Sequence, residues 1–269
     1  MVKIAVAGAM GRMGSRIAAL STEYGDIRLA GALERKGHPD AGKEFWTLIG
    51  LGGQSPSVKL SEDVHEALSA ADVLIDFTQP ASTLSNLRAC VETGKAMVIG
   101  TTGFDAAQTG EIKKLAPRIR SVMAANMSLG INLLLKVVRQ MAQALGGDYD
   151  VEIIEAHHRY KKDAPSGTAL KLAQAAADGL GRNLDDVAVY ARRGMIGQRS
   201  SAEIGIQTIR AGDIVGEHTV LFGGLGERIE VTHRVANRDT FARGALRAAL
   251  WLQGRQPGLY DMQDVLGLK

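Results

Sequence analysis

One cysteine, Cys90, occurs in 269 residues. A single thiol excludes an intramolecular disulfide and any zinc site built from paired cysteines, and it fits a reducing compartment. Cys90 sits in a helical apolar pattern, which makes it a core thiol rather than a nucleophile. Aromatic residues make up only 4% of the chain, and the net charge is +3. With neither a stacking platform for bases nor a dense Lys/Arg block, the chain lacks the footprint of a nucleic-acid binder. No apolar run approaches the ~18 residues needed to cross a bilayer. Val2-Lys3-Ile4 opens a strand pattern directly, without the layout of a signal peptide. The expectation is therefore a cytoplasmic protein that binds neither membrane nor nucleic acid. No internal repeat or low-complexity segment is present.

What is abundant is small and apolar: 45% hydrophobic residues and 32 glycines, as in close-packed α/β layers. Short runs of Val, Ile, Leu and Ala predict strands at Val2–Ala7, Ile27–Leu33, Val73–Phe77, Ala96–Gly100 and Ser121–Ala125, buried on both faces as in a parallel sheet. Helical patterns intervene at Arg12–Tyr24, Glu62–Ala70, Ala81–Glu92 and Asp105–Ala116, and this βα alternation predicts a doubly wound, Rossmann-like fold. Lys36–Gln54 has no clean period and is expected to be loop with one helical turn. A helix over Ser128–Leu145 leads into a second region. There Asp150–Ala156 reads as a strand and Thr168–Leu180 as a helix. From residue 202 the pattern turns to strands. Ile229, Val231, His233 and Val235 alternate with polar residues, as on a sheet with one apolar face. The other face is expected to be polar or covered by a partner. Thr240–Leu252 reads as a closing helix with Thr240 as its N-cap. The fold class expected is α/β, with an N-terminal Rossmann-like domain and a second α+β domain on a mixed open sheet.

Two stretches carry chemistry. After the first strand comes Gly8-Ala9-Met10-Gly11-Arg12-Met13-Gly14, a GxxGxxG spacing that differs from the GxGxxG dinucleotide fingerprint. Gly8 would permit the tight turn, Gly11 the approach of a pyrophosphate, and Gly14 the close packing of helix on strand. The helix N-terminus would then offer its amides to the anion. The same glycines could equally serve packing alone. Glu34 ends the second strand at about the distance where an acid accepts from the adenine ribose. Arg35 and Lys36 follow, so a 2′-phosphate could also be held, and both NADH and NADPH are expected to be usable. Gly100-Thr101-Thr102-Gly103 and Ala124-Ala125-Asn126-Met127 close two further strands at the carboxyl edge, where a nicotinamide would lie.

The second stretch is Glu155-Ala-His-His-Arg-Tyr-Lys-Lys-Asp-Ala-Pro-Ser-Gly-Thr168. His157 and His158 supply groups that donate or accept protons near neutrality. Crowding among Arg159, Lys161 and Lys162 would lower a lysine's proton affinity and make it a better acid if the site is partly dry. Pro165-Ser166-Gly167-Thr168 opens a helix whose amides and hydroxyls could cradle a carboxylate. The plainer account is a solvated basic loop with capping residues. A metal site is not expected, because adjacent histidines lack chelate spacing and no carboxylate pair accompanies them. His38, His65, His218 and His233 stand alone in sequence and read as structural.

At these residues the chain resembles the dihydrodipicolinate reductase family of the bacterial diaminopimelate–lysine pathway. The similarity rests on Glu155 through Ala169, on Gly8-x-x-Gly11-Arg12-Met13-Gly14, on Gly100-Thr101-Thr102-Gly103-Phe104, and on Arg210-Ala-Gly-Asp-Ile-Val-Gly-Glu-His218. It covers essentially the whole chain. Met10 departs from the family pattern, where a further glycine often sits, and Met127 stands where Phe is frequent.

The resemblance implies a dinucleotide domain from residues 1–128 plus 241–269, and a substrate and oligomerisation domain from 129–240, assembled as a homotetramer. It implies His157 as a proton donor or acceptor, Lys161 as a second proton donor, and His158, Gly167 and Thr168 as contacts to a dicarboxylate substrate. Cofactor contacts for NADH or NADPH would fall on Gly8, Ala9, Met10, Gly11, Arg12, Met13, Glu34, Arg35, Gly100, Thr101, Thr102, Ala124, Ala125, Asn126 and Met127. Two other readings compete. An aspartate or homoserine dehydrogenase would explain the nucleotide motif but not the paired histidines. A non-catalytic NAD(P) sensor would not need proton donors beside a carboxylate cradle.

Overall fold

The computed structural model describes residues 1–269. In chain order the strands are β1 (Val2–Ala7), β2 (Ile27–Leu33), β3 (Leu60–Ser61), β4 (Val73–Asp76), β5 (Ala96–Ile99), β6 (Arg120–Met123), β7 (Asp150–His157), β8 (Ala188–Val189), β9 (Ile204–Arg210), β10 (Gly216–Gly223), β11 (Arg228–Val235) and β12 (Gly258–Tyr260). The helices are α1 (Gly14–Ser21), α2 (Phe45–Leu48), α3 (Val64–Leu68), α4 (Pro80–Thr93), α5 (Ala106–Leu115), α6 (Leu129–Leu145), α7 (Gly167–Leu180), α8 (Leu184–Val187), α9 (Asp239–Trp251) and α10 (Met262–Leu266). None is long and apolar enough to cross a membrane. The chain divides into two compact units, Met1–Leu129 with Asp239–Lys269, and Gly130–Arg238.

The first unit is a parallel sheet ordered β12-β6-β5-β4-β1-β2-β3. Its inner order is that of the doubly wound dinucleotide folds, with the topological switch between β1 and β4. β4 and β5 are buried at every position, because helices cover both faces of the sheet and exclude polar alternation. On one face α1 and α9 pack around Ile17, Ala245, Leu246 and Ala249; on the other, α3, α4 and α5 pack around Leu68, Leu87 and Ile112. Pro80 opens α4 and Gly94, at φ 67°, closes it in the left-handed conformation, as expected of first-turn proline and C-terminal glycine. Cys90 lies buried in α4. Burial, with Asp76 adding to it, pushes its thiol up to about 12, so it is no nucleophile near neutral pH.

Three local expectations change. The helix expected from Arg12 begins at Gly14, because residues 8–13 form a turn in which the Gly11 amide donates to the Gly8 carbonyl at 2.9 Å. Thr240 is not an N-cap but lies within the first turn of α9, which begins at Asp239. β12 and α10 escaped the sequence reading altogether; β12 is a three-residue strand whose identity comes only from pairing with β6.

The second unit is a mixed sheet ordered β11-β10-β7-β9-β8. β7 pairs antiparallel with β10 and parallel with β9. Val151, Ile153, Ile204, Ile206, Val220 and Phe222 form the inner face, packed on the Ala-rich stripe of α7 and on Leu134, Val138 and Ala142 of α6. Gly179 lets α7 meet α6 closely, since a Cβ there would strike the Arg139 carbonyl. Ser166 caps α7, its Oγ accepting from the Ala169 amide at 3.1 Å, a contact worth about 1 kcal/mol to such a helix.

Candidate active site

In the first unit, the carboxyl ends of β1, β2 and β4 border a cavity of about 1180 Å³ lined by Gly8, Gly11, Glu34, Arg35, Lys36, Phe77 and Thr78, among others. The volume is ample for a nucleotide. Gly8 has φ +67°, and a Cβ on it would press on Thr78 at 3.1 Å. A Cβ on Gly14 would overlap the Gly8 carbonyl and the Ala9 Cα. Gly14 is thus required by packing and Gly8 by backbone conformation, whereas Gly11 is exposed at the mouth of the turn. The Glu34 carboxylate accepts from the Met10 amide at 3.0 Å and from the Arg35 amide at 3.1 Å. These bonds fix Glu34 against the glycine turn, where it can accept from ribose hydroxyls. Arg35 and Lys36 are exposed beside it. The donor set therefore fits a dinucleotide: a glycine turn open to phosphate, a fixed acceptor, and adjacent cations.

Of the remaining expected contacts, Ala9, Met10, Arg12 and Met13 lie in the turn after β1, while Gly100–Thr102 and Ala124–Met127 follow β5 and β6; none belongs to that cavity lining. Thr101 is buried and Thr102 exposed. Thr101 Oγ1 lies 3.2 Å from Asp76 Oδ1, which also accepts from Thr78 and Thr83, while Asn86 donates to Oδ2 at 2.8 Å. Ala9, Ala124 and Met127 are buried, Met10, Met13, Gly100 and Asn126 little exposed, and Arg12 and Ala125 exposed. A Cβ on Gly100 would meet the Phe77 ring, so this glycine serves packing as well. A Cβ on Gly244 would likewise strike the Met127 carbonyl, which seats α9 against the 124–127 segment.

In the second unit, β7 ends at His157, and its Nδ1 lies 2.6 Å from Glu155 Oε2. Glu155 is wholly buried. Its Oε1 accepts from the Ser166 amide at 3.0 Å and from Thr208 Oγ1 at 3.2 Å. Arg210 grips both oxygens at 2.8 and 2.9 Å. Burial is the largest influence on Glu155 and alone would raise its pKa. The hydrogen bonds from Arg210, His157 and Ser166 outweigh it and hold the carboxyl below its usual range. For His157 burial prevails and lowers the pKa, with Glu155 opposing it. His218 packs edge-on to His157 at 5.2 Å between ring centroids, and its Nε2 lies 3.0 Å from Ser166 Oγ. Burial, aided by His157, pushes His218 down to about 4, so it is neutral at pH 7.

His158 follows His157 directly, and Gly167 and Thr168 follow Ser166. The Nδ1 of His158 is buried without a hydrogen-bond partner. A Cβ on Gly167 would meet nothing within 4 Å, and this residue heads α7, an end whose first-turn amides favour negative charge. Lys161 differs from expectation. Its ammonium is held by both oxygens of Asp163 at 2.8 and 2.9 Å, so its nearest charged neighbour is an anion rather than the neighbouring cations. Sequence reasoning missed Glu155, Thr208 and Arg210 as site builders, gave Ser166 only a place in the carboxylate cradle, and took His218 as an isolated structural residue. Glu155 and Ser166 lay within the histidine motif, and Arg210 and His218 at the two ends of the 210–218 segment. Nothing in the sequence pointed to Thr208.

The comparisons with known proteins agree along the whole chain. A family model described as "Dihydrodipicolinate reductase, N-terminus" matches residues 2–127, and one described as "Dihydrodipicolinate reductase, C-terminus" matches residues 130–266. The 4-hydroxy-tetrahydrodipicolinate reductase of Syntrophobacter fumaroxidans is 58% identical over 269 residues, and that of Syntrophus aciditrophicus 50%, each covering 100% of both chains. A solved structure, the dipicolinate-bound dihydrodipicolinate reductase from Paenisporosarcina sp. TG-14, is 25% identical, covers 98% of both chains and superposes with a TM-score of 0.76. By motif, fold and similarity over its full length, the chain belongs to the dihydrodipicolinate reductase family.

Proposed function

We propose that the chain catalyses the NAD(P)H-dependent reduction of (2S,4S)-4-hydroxy-2,3,4,5-tetrahydrodipicolinate to (S)-2,3,4,5-tetrahydrodipicolinate, with loss of water, in L-lysine biosynthesis through diaminopimelate. The observation that carries this reading is the Glu155–His157 pair set beside the N-terminus of α7. It joins a proton-carrying imidazole to a carboxylate-binding helix end in one cluster.

The substrate is a cyclic imine with two carboxylates and a 4-hydroxyl. Loss of the hydroxyl as water leaves a conjugated ring, which accepts hydride at C4 and a proton. A bound NADH or NADPH supplies the hydride. Gly8 to Met13 receive its pyrophosphate and Glu34 its ribose, with Arg35 available to a 2′-phosphate; Gly100–Thr102 and Ala124–Met127 receive the nicotinamide end. His158, Gly167 and Thr168 bind the substrate carboxylates. Fixed cations and amides there offset the negative charge that the ring gains during reduction. His157 donates or accepts a proton through the nitrogen not bonded to Glu155, and Lys161 is a second proton donor. In this reading the unit containing the glycine turn is the dinucleotide domain, and Gly130–Arg238 binds substrate and assembles the protein.

The assembly proposed is a cytoplasmic homotetramer. Its support is the sheet face of the second unit opposite α7, where Ile154 and Leu221 are half-buried and Ile209 is 46% exposed. The reaction is tested by mixing the protein and NADPH with the condensation product of pyruvate and aspartate semialdehyde, and following nicotinamide absorbance. Substrate-dependent loss of absorbance is expected. No loss with either NADPH or NADH would overturn the reading.

A further inference from the structure

Glu155 carries five donors on one carboxylate: His157 Nδ1, the Ser166 amide, Thr208 Oγ1 and both terminal nitrogens of Arg210. No other side chain in the second unit is bonded both to a candidate proton donor and to the N-cap of α7. We propose that Glu155 is a positioning residue for the reductase reaction, holding His157 as the Nδ1–H tautomer and fixing the distance from its ring to the carboxylate-binding end of α7. The proposal rests on the functional reading above, but its geometry stands independently of the substrate.

A carboxylate held ionised by Arg210 can only accept, so the short contact at His157 obliges Nδ1 to carry the proton. Nε2 is then the nitrogen that exchanges protons with a ligand. It rests against Gly216, where a Cβ would lie only 3.1 Å away, so a side chain at 216 would press on the ring. Glu155 also binds the amide of Ser166. Its bond to Glu155 Oε1 ties the start of α7 to the strand that bears His157. Movement of either group is therefore felt by the other. His157 is faced by Glu155 from its own strand, by Arg210 from β9, by His218 from β10, and by Lys161 from the loop after β7. Of these only Glu155 is an anion, so only its removal takes away support for the protonated imidazole.

Nitrogen-15 NMR of histidine-labelled wild-type protein tests the tautomer directly. Above its titration midpoint His157 should show the Nδ1–H form, and an Nε2–H form would overturn the proposal even if no variant folds. In Glu155→Gln the His157 titration should move to lower pH, and affinity for pyridine-2,6-dicarboxylate should fall on the order of tenfold. The control is Glu152→Gln, a carboxylate on the same strand that pairs with Arg192 and Arg199 on the other side of the sheet. It should leave the His157 titration in place. A lower melting temperature in Glu155→Gln with the titration and affinity unchanged would make Glu155 merely structural, and an equal shift in Glu152→Gln would reduce the effect to general charge. Either result would refute the proposal while leaving the wild-type reductase assay as the separate test of function.

Discussion

Arg210 and Glu155 meet diagonally across neighbouring strands in a two-pronged ion pair, Nη1 at 2.8 Å from Oε2 and Nη2 at 2.9 Å from Oε1. Nη2 also reaches the Asp163 carbonyl at 2.6 Å, so one guanidinium ties β7 and β9 to the loop that carries Lys161. Such fork-to-fork pairing fixes orientation as well as charge. The carboxylate is fully buried and the guanidinium side chain is 19% exposed, which places the pair where desolvation is costly and partners matter.

Removing the guanidinium leaves that buried carboxylate without its cation. Arg210→Ala is expected to destabilise the protein by about 3–5 kcal/mol. Urea denaturation at pH 7 measures it. A loss below about 1 kcal/mol, the range of surface pairs, would show that the carboxylate is satisfied without Arg210.

Acid should weaken the fold through His218. Its folded value of about 4 lies below the ordinary 6.5, so between those values the unfolded chain binds more protons than the native one. Stability is therefore fully present above pH 6.5 and is lost as pH falls through 4, by about 3 kcal/mol for this group. In His218→Gln the fall in stability between pH 7 and pH 4 should be correspondingly shallower. Parallel wild-type and variant curves over that window would show that His218 does not carry the effect.

Gly14→Ala tests the nucleotide turn. The added methyl would overlap the Gly8 carbonyl and the Ala9 Cα, both backbone atoms that cannot swing aside. The expected cost is about 1–3 kcal/mol of stability, with weakened NADH binding because the turn must open to relieve the clash. Fluorescence titration of NADH together with a melting curve reads both. An unchanged NADH affinity would separate this glycine from the cofactor site.

His157→Ala and Lys161→Ala should lower kcat by about 100-fold or more, the usual share of a general acid, while leaving NADH affinity unchanged. Steady-state kinetics with a separate NADH titration decides. Equal losses in turnover and in NADH binding would contradict the assignment of hydride donor and proton donors to different sites.

Much of the first unit was legible because its signals are local. β1 and β2 have the bounds that the apolar runs predict, and β4 and β5 end within one residue of them. A strand buried on both faces has little room for polar residues, so its limits appear directly in composition. The turn at Gly8 was equally plain, because only a particular residue type tolerates that backbone. β3 and β12, by contrast, are short strands with no period of their own; each exists because a neighbour offers unpaired backbone groups.

The histidine motif, the glycine turn and the βα alternation were determined by the sequence alone, since each depends on residues a few positions apart. What only the tertiary structure decided is which distant groups complete the histidine cluster. The pairing of β7 sets Glu155 opposite Thr208 and His157 opposite Arg210 on one side, and Glu155 opposite His218 on the other. A shift of one residue in either register would turn these side chains to the opposite face of the sheet. That register follows from burial of the whole apolar face against α6 and α7, a property of the packed unit that no short stretch of chain contains.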